Sequence, residues 1–96
     1  MDKKRDLSEE YFCAAAAALE TKAEAKNFFK FLCTEKETQL IAQRLYVAKL
    51  LSENRVYSDI VEQTGASSAT VSRVKRAMET DREYFKKLLG KLNEQL

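Results

Sequence analysis

The chain has no proline and only two glycines in 96 residues, and this shortage decides what it can fold into. Sandwiches and barrels of short strands need a cluster of turn residues at every reversal. Too few are present here, which leaves helices joined by short polar connections. The helix starts can be read directly. Three Thr-x-x-Glu boxes occur, Thr21–Glu24, Thr34–Glu37 and Thr80–Glu83. In each, the hydroxyl can accept an orphan N–H near the helix start, and the Glu can reach back to the cap residue's own N–H. Each box precedes an apolar periodic run, as a helix start should.

The expected helices follow from these starts. The first runs from about Ser8 to Leu19 and is rich in alanine. The second runs from about Lys22 to Cys33, the third from about Glu35 to Glu53, and the last from about Asp81 to Gln95. Leu40, Ile41, Leu45, Val47, Ala48 and Leu51 give the third a wide apolar face, as expected of a central helix. Phe85, Leu88, Leu89, Leu92 and Leu96 form a stripe on the last, with Lys86, Lys87 and Lys91 elsewhere. On the second, Phe28, Phe29 and Phe31 point in directions about 100° apart and cannot all enter one small core. Either one ring is exposed or a second chain covers it. A chain of this length buries only roughly 60–65% of its unfolded surface, so a homodimer is expected. The whole of 1–96 is read as one domain, with the order of residues 1–7 left open.

Several function classes are excluded or disfavoured. The chain has no histidine, so the commonest general base and metal ligand is absent. No glycine-rich phosphate loop is present. The serines have no evident base, so an enzyme is not expected, nor a cofactor or a metal site. Cys13 and Cys33 are too few for a disulfide scaffold and too far apart for a CxxC pair. They are expected to be small buried hydrophobes in a reduced cytoplasm. No apolar run approaches a membrane span, and the basic start is not followed by a full signal-peptide core. A cytoplasmic location with no membrane partner is the expectation.

The informative window is Tyr57–Met78. Ser58 can cap a short helix that carries Ile60 and Val61. Gly65 stands at a sharp turn, where a positive φ is free of Cβ strain only for glycine. Ser67 can cap a second helix over 67–78. Val71, Val74 and Met78 would pack that helix inward, leaving Ser68, Ala69, Thr70, Ser72, Arg73 and Arg76 at least partly outward. This is the pattern of a helix-turn-helix. Small residues let a helix backbone approach base edges, while hydroxyls, Arg and Lys meet bases and phosphates. From Gln63 to Met78 there is no acid, while Arg73, Lys75 and Arg76 are cationic; the net charge of +2 hides that patch. Ser58, Ser67, Ser68, Ala69, Thr70, Ser72, Arg73, Lys75 and Arg76 are therefore candidate contacts to double-stranded DNA. The competing reading is a helical protein–protein module that keeps the shape without DNA. Such a module would more often carry exposed Leu, Met or aromatic anchors on the second helix.

These residues carry a resemblance. Thr34-Glu35-Lys36-Glu37 opening a long helix with Arg44, the Gly65-Ala66 turn and Ala69-Thr70-Val71-Ser72-Arg73 resemble the Trp repressor superfamily. Leu32-Cys33-Thr34, Ala42-Gln43-Arg44-Leu45, Val47-Ala48-Lys49, Thr64-Gly65-Ala66-Ser67 and Ser72-Arg73-Val74 are similar to its YerC/YecD-related branch. The resemblance spans Phe28 to Leu92. It implies an all-α fold of about six helices, and an intertwined homodimer presenting two recognition helices to successive major grooves. It also implies an effector pocket, whose Thr and two Arg positions match Thr34, Arg44 and Arg73. Where the repressor has glycine after the second Arg, this chain has Val74. A β-branched side chain there would fill the space of an indole ring. The expected effector is thus a small carboxylate and not tryptophan. The alternative for Arg44 is a structural ion pair with an acid of a neighbouring helix.

Overall fold

The computed structural model describes the backbone of residues 3–95 and the side chains of residues 6–94. Six helices and no strand occur among the described residues: α1 (Lys3–Ala17), α2 (Lys22–Leu32), α3 (Glu35–Ser52), α4 (Tyr57–Thr64), α5 (Ser68–Thr80) and α6 (Arg82–Gln95). The all-α expectation holds, and the helix limits fall within a few residues of those read from the sequence. α1 starts earlier than Ser8, so residues 3–7 are helical, whereas residues 1 and 2 lie outside the described residues. Leu96, assigned to the last apolar stripe, also lies outside them.

The capping boxes explain two of the starts. Thr34 Oγ1 accepts from the Glu37 N–H at 3.1 Å, and Glu37 Oε1 accepts from the Thr34 N–H at 2.8 Å. The same backbone bond holds the Glu37 carboxyl below the usual carboxylate range. At α2, Thr21 Oγ1 accepts from the Glu24 N–H at 3.1 Å, and Glu24 reaches one residue further back, to the Glu20 N–H at 2.8 Å. The third box does not form. α5 runs through Thr80, whose hydroxyl donates to the Arg76 carbonyl at 2.9 Å. Asp81 takes the capping role and accepts from the Tyr84 N–H at 3.2 Å. A carboxylate is a stronger acceptor than a hydroxyl at a helix N-terminus, which moves the start of α6 by one residue.

The chain divides into two compact units, with the boundary between Thr38 and Gln39 inside α3. The first unit has no buried residue from position 6 to 38. Its apolar contacts are aromatic: Phe12 stacks on Phe28 at 6.2 Å between centroids, and Phe28 meets Phe29 edge-on at 5.4 Å. Phe31 is 84% exposed and Tyr11 81%. One of the three phenylalanines is thus exposed within a single chain. The cysteine expectation is corrected here: Cys13 is exposed and Cys33 half-buried, because no enclosed core exists in this unit to receive them.

The second unit has an enclosed core. Val47, Leu50, Ile60, Ala66 and Val71 pack together, with Leu51, Val61 and Val74 against them. Burying a side chain of this size contributes about 1.5–3 kcal/mol. α3 supplies Val47, Ala48 and Leu50 to the interior, while Leu40, Ile41, Leu45 and Tyr46 remain about half exposed. The wide apolar face expected of this helix is therefore divided. α3 ends in a Schellman arrangement. The Asn54 N–H donates to the Leu51 carbonyl at 3.0 Å and the Arg55 N–H to the Leu50 carbonyl at 3.2 Å, with Asn54 at φ 61°. Asparagine is the usual substitute for glycine at that left-handed position. On α6, Leu89 is buried and Phe85, Leu88 and Leu92 are half-buried, as the apolar spacing predicts.

Candidate nucleic-acid interface

α4, Gly65 and α5 form the helix-turn-helix, and the turn is fixed from three sides. Gly65 sits at φ 75°, ψ 3°, and its N–H donates to the Val61 carbonyl at 2.9 Å, closing α4. Ala66 is 2% exposed and belongs to the core. Thr64 Oγ1 donates to the Ile60 carbonyl at 2.7 Å and accepts from the Ala66 N–H at 3.1 Å. Gln43 of α3 donates from Nε2 to the Thr64 carbonyl at 3.0 Å. That last bond ties the turn to the central helix across 21 residues of sequence; no local signal marks Gln43 for this role.

Ser67 caps α5 as expected: its Oγ accepts from the Thr70 N–H at 3.1 Å and bonds the Thr70 hydroxyl at 3.1 Å. Ser58 does not cap α4. Val56 is the cap residue and makes no side-chain cap bond, so Ser58 lies inside the first turn and exposed. The helix starts one residue before the serine, and a hydroxyl already inside a helix cannot reach the N–H groups that a cap residue serves.

The recognition helix divides as the spacing predicts. Val71 is fully buried, and Val74 packs on the core. Ser67, Ser68, Ala69, Arg73, Lys75 and Arg76 are exposed, and Thr70 and Ser72 are half exposed. Lys75 departs from the other cations. Its Nζ lies 5.7 Å from the centroid of the Tyr57 ring, at the start of α4. At ~100° per residue it stands on the flank of α5, away from Arg73 and Arg76. Tyr57 was not among the sequence-predicted contacts.

The ion pairs among the described residues are Lys49–Glu53 at 3.1 Å, Arg55–Glu53 at 3.8 Å and Arg55–Asp59 at 2.7 Å. None uses Arg44, Arg73, Lys75 or Arg76. Asp59, the acid in the first turn of α4, accepts from Arg55 and from Gln63 Nε2 at 3.1 Å, and its carboxyl is held below the usual range chiefly by the Arg55 bond. Thr34, on the first unit, uses its hydroxyl in the capping box; Arg44 and Arg73, on the second, are both exposed. No group of three residues able to hold a metal ion occurs among the described residues. No described helix is long and apolar enough to cross a membrane.

Known proteins share this fold. The uncharacterised protein YerC of Bacillus subtilis (strain 168) is 37% identical over 94 residues, covering 98% of this chain and 90% of YerC. A TrpR-like protein from Eubacterium eligens ATCC 27750 superposes with a TM-score of 0.83 at 38% identity, over 91% of this chain and 90% of that one. A proposed Trp repressor from Staphylococcus aureus gives a TM-score of 0.82 at 33% identity, over 97% and 96%. The family model described as Trp repressor protein matches residues 8–93. The match thus takes in α1, which lies outside the span that the sequence motifs marked. On the family match over residues 8–93 and these likenesses, the chain belongs to the Trp repressor family.

Proposed function

We propose that this chain is a transcriptional regulator, not an enzyme, that binds double-stranded DNA in the cytoplasm as a homodimer and reads the major groove with residues 67–78. The observation that carries this reading is the outward face of α5. Arg73 and Arg76 stand exposed beside Ser68, Ala69 and Ser72, with no acid in the first turn and no ion pair to cancel their charge. Small side chains allow close approach to base edges, and free guanidinium groups suit phosphates and guanine. Large apolar anchors are exposed elsewhere, on α1, α2 and α3, and they suit self-association. Selection of bound sequences from a random duplex pool tests the reading. Enrichment of a two-fold symmetric site is expected; no enrichment over input defeats it.

The cations have separable roles. Arg76→Ala should weaken all duplexes alike and lower the salt slope by about one unit. Thr70→Ala should change sequence preference more than total affinity. Thr34, Arg44 and Arg73 are the candidate effector contacts that the resemblance implies, and the two arginines suit a small carboxylate. Val74 supports the exclusion of tryptophan, because its isopropyl group occupies packed space against the core. Forcing a large ring against it costs about 1–3 kcal/mol, or roughly ten- to a hundredfold in affinity. Titration calorimetry should show no micromolar tryptophan binding by the unmodified protein, and a gain in Val74→Gly.

A further inference from the structure

Lys75 and Tyr57 form a pair that the recognition-helix pattern does not explain. Lys75 lies on the flank of α5, and the first residue of α4 brings its ring to 5.7 Å from the ammonium. Tyr57 is 37% exposed, so it is anchored on one side and open on the other. Glu79, four residues after Lys75, is the ordinary helical partner for it, yet no ion pair among the described residues includes Lys75. The difference matters chemically. A carboxylate would hold the ammonium and cancel its charge. The face of an aromatic ring attracts the cation but carries no net charge, so it restricts a side chain with four rotatable bonds and leaves the full positive charge for another anion.

We propose that Tyr57 is a positioning residue for Lys75, and that Lys75, held where α4 begins, contacts a backbone phosphate flanking the groove that α5 enters. The inference rests on the DNA-binding reading above and separates Lys75 from the residues that read bases. Lys75 contributes affinity and salt dependence, and no sequence preference.

The test measures binding of the full chain to a selected duplex and to a random-sequence duplex over a range of salt concentrations. Lys75→Gln is expected to lower the salt slope by about 0.9 and to weaken both duplexes by the same factor. Tyr57→Leu should weaken both about two- to fivefold, the range of an exposed cation–π contact, and Tyr57→Phe should behave as wild type. In the Lys75→Gln background, Tyr57→Leu should have no further effect. An unchanged slope in Lys75→Gln overturns the phosphate role. An equal loss from Tyr57→Leu in both backgrounds overturns the positioning role, since a loss of folding would act in both. The two readings fail differently: absence of duplex binding by the wild type defeats DNA binding itself, whereas a loss in Arg76→Ala without one in Lys75→Gln defeats only this inference.

Discussion

The two units of this chain are built from equally good helices and differ in what those helices enclose. From position 6 to 38 no residue is buried, although α2 begins with a satisfied capping bond and carries three phenylalanines. From Gln39 onward, Val47, Leu50, Ile60 and Val71 are closed off from solvent. Local signals therefore form helices in both units, but only the second has apolar residues arriving from three helices at one point. In the first unit Leu7, Tyr11 and Phe31 are more than half exposed, and along α3 Leu40, Ile41, Leu45 and Tyr46 are nearly so. A monomer of this size seldom leaves so many large apolar groups open. The proposed homodimer gives them a cover.

Charging that exposed surface is the change expected to have the largest effect. Leu45→Glu and Phe31→Glu should each shift the species seen by sedimentation at micromolar concentration from twice the 11.0 kDa chain mass to once, with loss of helicity in the first unit. A wild-type chain that stays a soluble monomer over that range would break the comparison, since the first unit would then stand without a core. Leu50→Ala attacks the other side. It should lower the unfolding free energy by about 2–5 kcal/mol, because the cavity is enclosed, and chemical denaturation measures it. A loss below 1 kcal/mol would mean that the second unit is less tightly packed than its burial suggests.

Gly65→Ala should cost less, about 1–2 kcal/mol, from backbone strain at φ 75°. The added Cβ would meet Gln43 Nε2 at 3.9 Å, an ordinary contact, so no steric term adds to it. Gly65→Asn should recover part of the loss, and chemical denaturation measures both. The smallest effect is the acid dependence of the start of α3. Glu37 has its carboxyl held below the ordinary 4.5 by the Thr34 backbone bond. The folded form therefore binds fewer protons than the unfolded one, and the stability this gives is complete above pH 4.5 and is lost as the pH falls through the depressed folded value. Glu37→Gln should flatten that part of the stability profile, and an unchanged slope would show that the box does not titrate.

Much of the candidate interface was legible in the sequence because it is written at short range. The Ser67 cap bonds a residue three positions away, Gly65 must stand where φ turns positive, and Val71 and Val74 point inward by helical spacing. The misread caps lie at the starts of α6 and α4. Asp81 displaced Thr80 as the cap of α6, and α4 began at Tyr57 so that Ser58 fell inside it. The α6 shift is one residue, where the adjacent acceptors Thr80 and Asp81 compete for the same N–H groups; the α4 shift is two residues, from Ser58 to Val56, a residue with no side-chain acceptor.

The sequence by itself determined the helical class, the caps at Thr21, Thr34 and Ser67, and the acid-free face that suits DNA, because each depends on groups within about one turn of each other. Only the tertiary structure decided which half of the apolar α3 is enclosed, that Gln43 holds the turn at Thr64, and that Lys75 turns to Tyr57. The physical reason is distance along the chain. Gln43 and Thr64 are 21 residues apart, and Tyr57 and Lys75 lie on different helices, so neither pair leaves a periodic trace in the sequence. Each exists only once packing of the core has brought α3, α4 and α5 together.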